Sequence, residues 1–129
     1  MTYLLLDTST PVCRISFVRD ETQHDYSWQA DRTLAKNILT YIDEVLTEEN
    51  ESIATVSGLG VFRGPGSFTG LRIGLTVMNT VATSEDIPIV GEIGDDWIVR
   101  ALSRLTEGDN DKIVLPEYGS DARITKPRK

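Results

Sequence analysis

The sequence contains a single cysteine and a single histidine, and no long apolar run. Each shortage removes a class of function. Cys13 has no partner for an intramolecular disulfide, and its place in an alternating strand marks it as a buried, inert thiol rather than a nucleophile. His24 has no HxxxH companion, and a metal site needs several convergent ligands, so these residues exclude metal catalysis and imply no cofactor. Uncharged apolar stretches reach only a few residues, against the roughly 20 needed to cross a bilayer. Met1-Thr2-Tyr3 runs straight into a strand without a charged leader, and the expectation is a cytoplasmic chain with no membrane partner.

Positive charge is also scarce. Thirteen basic residues stand against twenty acidic ones, a formal net charge of −7. Arg123, Lys126, Arg128 and Lys129 hold four of those basic groups within the last seven residues, leaving nine against twenty, or about −11, over the rest. Nucleic-acid binders gain most of their affinity by neutralising phosphates, so a body this acidic is expected to repel nucleic acid. The basic terminus reads as solvated.

What is present suits one domain with one core: 129 residues, 40% of them hydrophobic. Tyr3–Asp7 is a short apolar run ending in the turn formers DTSTP, and Val12–Val18 alternates, which predicts two antiparallel strands. Asp20-Glu21 makes a tight connection to a more polar strand at Thr22–Trp28, expected at the sheet edge. From Asp31, a plausible N-cap, the period becomes helical: Leu34, Ile38, Tyr41, Ile42 and Val45 recur down to about Glu49, with Leu39 and Leu46 widening the stripe. Val56–Phe62 reads as a buried strand. A second helix over Gly70–Thr83 carries Leu71, Ile73, Leu75, Val77, Met78, Val81 and Ala82 nearly all round its axis, more apolar surface than one sheet can cover. Ile87–Val90 is a fifth strand and Asp95–Leu105 a third helix, followed by an extended tail at Ile113–Leu115 and Glu117–Gly119.

Between the fourth strand and the second helix lies Gly64-Pro65-Gly66-Ser67-Phe68-Thr69-Gly70-Leu71-Arg72-Ile73-Gly74. Glycine belongs where the backbone needs positive φ or close approach, and proline fixes the bend. The loop opens a helix, where N–H groups favour an anion, yet it lacks the P-loop lysine and does not fit GxGxxG. A Ser67, His24 and Asp triad can be written down, but GPGSFTG is not a GxSxG elbow. Asp7 reads as a turn cap.

GPGSFTGLRIG, together with the opening Leu4-Leu5-Leu6-Asp7-Thr8-Ser9-Thr10, resembles the signature of the TsaB (YeaZ) family of accessory proteins in tRNA threonylcarbamoyladenosine biosynthesis. The resemblance implies an α/β fold, one ribonuclease-H-like, actin-type lobe of order βββαβαβα with a mixed five-stranded sheet. That lobe would occupy residues 1–106, with residues 107–129 as an extended tail and the family's usual second lobe missing. It further implies a non-catalytic scaffold whose first two helices pack on the catalytic paralogue TsaD, with TsaE in the larger complex, no direct tRNA binding, and a homodimer when alone. The residues expected at that interface are Leu34, Ile38, Tyr41, Ile42 and Val45 on the first helix, with Gly66, Ser67, Phe68, Gly70, Leu71, Arg72, Gly74, Leu75 and Met78 on the loop and second helix. Two alternatives stand beside it: a nucleotide-binding enzyme of the actin-type superfamily completed by dimerisation, and an orphan homodimer without a modification role.

Overall fold

The computed structural model describes residues 1–117; the expected extension at Tyr118-Gly119 and the basic residues from Arg123 onward lie outside them. Three strands come first: β1 (Thr2–Asp7), β2 (Val12–Arg19) and β3 (Thr22–Gln29). They are followed by α1 (Leu34–Glu48), β4 (Gly58–Phe62), α2 (Phe68–Glu85), β5 (Ile89–Glu92) and α3 (Trp97–Thr106). The five strands form one mixed sheet in the order β3-β2-β1-β4-β5. β1, β2 and β3 pair antiparallel, while β4 and β5 run parallel to β1. The predicted fold class, element order and edge position of β3 are those observed.

Alternation along β1 sends its side chains to two different cores. Leu4 and Leu6 join Cys13, Ile15, Phe17, Leu59, Val61 and Ile89 beneath α1 and α2. Tyr3 and Leu5 join Val18 and Val90 on the opposite face, where Trp97, Ala101 and Leu105 of α3 cover them. On α1, Leu34, Ile38, Ile42, Val45 and Leu46 are all buried, and each contributes about 1.5–3 kcal/mol relative to exposure. Among the described residues no helix is long and apolar enough to cross a membrane.

Beyond one-residue extensions of β1, β2 and β3, the boundaries differ from the sequence reading at five places. Asp31 does not cap α1: it lies in a 3-10 turn at φ 49, and the helix opens at Leu34 after Thr33. The fourth strand begins at Gly58 rather than Val56, after another 3-10 turn at Ile53–Thr55. α2 starts two residues early, because the Ser67 hydroxyl accepts the Gly70 N–H and caps it, and extends to Glu85 with Asp86 left-handed at its end. That longer helix delays β5 to Ile89–Glu92. α3 begins at Trp97 after Asp96 rather than at Asp95, and runs to Thr106.

Candidate functional site

The turn after β1 and the glycine loop after β4 meet because their strands are parallel neighbours. The Ser67 N–H donates to the Ser9 carbonyl at 2.8 Å, and the Thr8 hydroxyl donates to the Gly70 carbonyl at 2.7 Å. Asp7 accepts the Ser9 N–H at 2.8 Å, closing the turn from its own side chain. The glycines make this seam possible. A Cβ on Gly66 would strike Ser9, one on Gly70 would strike the Thr8 carbonyl, and one on Gly74 would strike the Thr8 side chain. Gly70 and Gly74 are one helical turn apart, so they form a furrow in which the buried Thr8 lies. Gly74, expected at the partner interface, is thus packed against this chain's own β1 turn.

The same packing sorts the residues expected at an interface. Leu34, Ile38, Ile42 and Val45 on α1, with Gly70, Leu71, Gly74, Leu75 and Met78 on α2, are buried in the lobe. Tyr41 is half-buried, its ring 5.1 Å from that of Trp28. Its hydroxyl has no hydrogen-bond partner among the described residues and is pushed up to about 12 by burial, with Cys13 and Glu44 adding to the shift. Gly66, Ser67, Phe68 and Arg72 are exposed, and the Arg72 guanidinium sits 5.1 Å above the Phe68 ring.

The surface itself is a groove between α1 and α2. One stretch of about 420 Å³ is lined by Ala35, Thr69, Arg72, Ile73, Thr76 and Val77. A second, of about 680 Å³, continues past Ser67 and Gly70 to Pro11 and Thr33. Leu39 on α1 is 61% exposed and Phe68 53%. Ala35, Thr69, Ile73, Thr76 and Val77 were not expected here. The i, i+4 recurrence of 69, 73 and 77 beside 35 and 39 carries the signal, which a count of apolar residues around the whole helix obscures.

The residues weighed for chemistry do not converge. Ser67 caps α2, while His24 lies on β3 with its Nδ1 2.8 Å from the Glu49 carboxylate. Glu49 also accepts from the Tyr26 hydroxyl, and Arg19 Nη1 lies 3.6 Å away. Burial alone would raise the Glu49 carboxyl, but the hydrogen bonds from Tyr26 and His24 outweigh it and hold the group below the usual carboxylate range. The Tyr26 phenol moves the opposite way, to about 12, chiefly because it donates to Glu49. This cluster latches β3 to the end of α1. Cys13 is buried as expected, its thiol pushed up to about 12 by desolvation and then by Asp7. Among the described residues no three His, Cys, Asp or Glu side chains are grouped to hold a metal ion.

The family model described as "TsaD: tRNA N6-adenosine threonylcarbamoyltransferase" matches residues 28–93, which span α1, β4, the glycine loop and α2. The chain belongs to the family of TsaB and TsaD. It is similar to several TsaB proteins over most of its length. It is 40% identical to the Haemophilus influenzae tRNA threonylcarbamoyladenosine biosynthesis protein TsaB over 85% of this chain and 47% of that protein. The Escherichia coli TsaB is 32% identical over 70% of this chain and 39% of its own length. The chain therefore spans less than half the length of the curated relatives it matches. YeaZ from Pseudomonas aeruginosa superposes with a TM-score of 0.68 at 27% identity, covering 83% of this chain and 50% of that one. The Thermus thermophilus RuvC structure, with a TM-score of 0.50 at 14% identity over 95% of this chain and 89% of its own, shares the fold alone.

Proposed function

We propose that this TsaB-family chain is a non-catalytic scaffold in tRNA threonylcarbamoyladenosine biosynthesis, and that the groove between α1 and α2 receives the corresponding helices of TsaD. The carrying observation is that groove, lined by Ala35, Thr69, Ile73 and Val77, with exposed Leu39 one helical turn beyond Ala35 and exposed Phe68 beside Thr69, built on helices whose opposite sides are buried in the chain's own core. The family relation supports the choice of partner, because the same family model describes TsaD itself. Two paralogous lobes that meet through equivalent helices would form a pseudo-two-fold helical bundle.

In this reading the chain contributes no reacting group. It covers apolar surface on TsaD and shifts that subunit toward its active conformation, which requires tighter binding to the active state than to the inactive one. TsaE joins the same assembly, tRNA contacts belong to the partners because of the acidic body, and the site of action is the cytoplasm.

The test is titration of the full chain with TsaD from the same source, followed by reconstituted tRNA modification. A one-to-one complex is expected, weakened about tenfold or more by Leu39→Asp, which corresponds to about 1.4 kcal/mol or more. Self-association through the groove with no TsaD complex would instead establish the orphan homodimer. ATP–Mg²⁺ binding by the chain alone would favour the nucleotide-binding alternative.

A further inference from the structure

We infer that Asp109–Glu117 is a strap that seals the β5 edge of the sheet against pairing with a second copy of the chain. A terminal strand presents a row of N–H and C=O groups that invites another strand. Among the described strands β5 pairs with β4 alone, so its outer edge would be a ready template if left open. That edge is occupied. The Ile89 N–H donates to Asn110 Oδ1 at 3.1 Å and the Gly91 N–H to Asp111 Oδ2 at 2.9 Å. The Asp111 N–H donates to the Ile89 carbonyl at 2.8 Å, and Arg104 Nη1 to the Gly91 carbonyl at 3.1 Å. Three of the four partner groups are side-chain atoms, which satisfy the strand without offering a new ladder in its place.

The strap is fastened at several points. Arg104 pairs with Asp109 at 2.7 Å and also with Asp111. Val114 is 3% exposed within the core under α1 and α2, while Ile113 and Leu115 on either side are 64% and 69% exposed. The Asn79 side-chain amide of α2 accepts the Val114 N–H at 2.8 Å and donates to its carbonyl at 2.9 Å. The Val114 side chain fills the space above Gly91, where a Cβ would collide with it. Beyond it, the Glu117 N–H donates to the Arg63 carbonyl at 2.7 Å, beside the glycine loop. The other edge, β3, has no such cover from this segment and shows exposed Gln23, His24 and Asp25. Polarity protects that edge, whereas β5 is protected by a piece of chain.

Two full-length variants test the seal. Gly91→Ala places a methyl group in the Val114 socket, and Asn79→Ala removes both hydrogen bonds from α2. Amide hydrogen exchange is read at Ile89 and Gly91 in dilute protein, and sedimentation is followed with rising concentration. Both are done in a Leu39→Asp background so that association through the α1–α2 groove is held constant. The expected result is exchange at these two amides faster by about tenfold or more, with central β1 amides unchanged, and self-association stronger than in the parent. If Gly91→Ala does not fold, Asn79→Ala decides alone. Unchanged exchange at Ile89 and Gly91, or faster exchange without stronger self-association, overturns the inference.

Discussion

The two sides of α2 show how one helix can serve two packing problems with different residues. Toward the sheet it presents Gly70, Leu71, Gly74, Leu75, Met78 and Ala82, all buried, with the glycines admitting Thr8 into the helix surface. On its other side it presents Thr69, Arg72, Ile73, Thr76 and Val77, which with Ala35 line an open groove. Both sides are apolar enough to look alike in sequence. The inner side is a closed packing arrangement whose disruption should unfold the lobe, whereas the outer side should tolerate change until a partner is present.

The largest effect expected is on the inner side. Met78→Ala removes a side chain with no exposed surface and should cost about 2–5 kcal/mol, read as a lower chemical-denaturation midpoint at unchanged slope. Gly74→Leu should follow at about 1–3 kcal/mol or more, because the added side chain must displace Thr8. Native thermal stability in Gly74→Leu together with weakened partner binding would move Gly74 to the outer side and break the comparison. Ser67→Ala loses the cap on Gly70 and should cost about 1 kcal/mol, with tRNA modification in a reconstituted system otherwise intact. Abolished modification at native stability would make Ser67 an active-site residue.

Smaller stability effects belong to the surface. Leu39→Asp should stay within about 0.5 kcal/mol of the parent by thermal denaturation while weakening the complex proposed with TsaD. A stability loss as large as that of Met78→Ala would place Leu39 in the core rather than on the groove. The Glu49 latch gives a pH signature instead. Because its carboxyl is held below the ordinary range in the folded state, its contribution is present above the unfolded value and is lost as pH falls through the folded one. Acid unfolding monitored by circular dichroism should therefore show a shallower decline for Glu49→Gln than for the parent, and identical acid limbs would remove the latch from the account.

Much of the architecture was legible along the chain. Alternation in Val12–Val18 and the apolar run at Leu4–Leu6 specify strands, and the recurrence of Leu34, Ile38, Ile42 and Val45 specifies a helix, because each pattern has only one backbone period that buries it. The boundaries were less legible, since Asp31 satisfies the composition of an N-cap but sits at φ 49 in a 3-10 turn. The candidate site was legible as a motif rather than as a surface. GPGSFTG announced close packing without naming what would be packed.

The order of neighbouring elements, the glycine-rich turn, the single buried thiol and the family signature were determined by the sequence itself, because they depend on local backbone preference and on residue types at fixed spacing. Tertiary structure alone decided that Gly70 and Gly74 face Thr8, that Ile73 and Val77 stay half-buried at the groove while Leu75 and Met78 are buried in the core, and that Val114 returns to the core above Gly91. Each of these joins residues far apart in the chain, and which of two apolar helix faces is covered depends on where the parallel strands β1 and β4 place the helix between them, a relation that no local pattern contains.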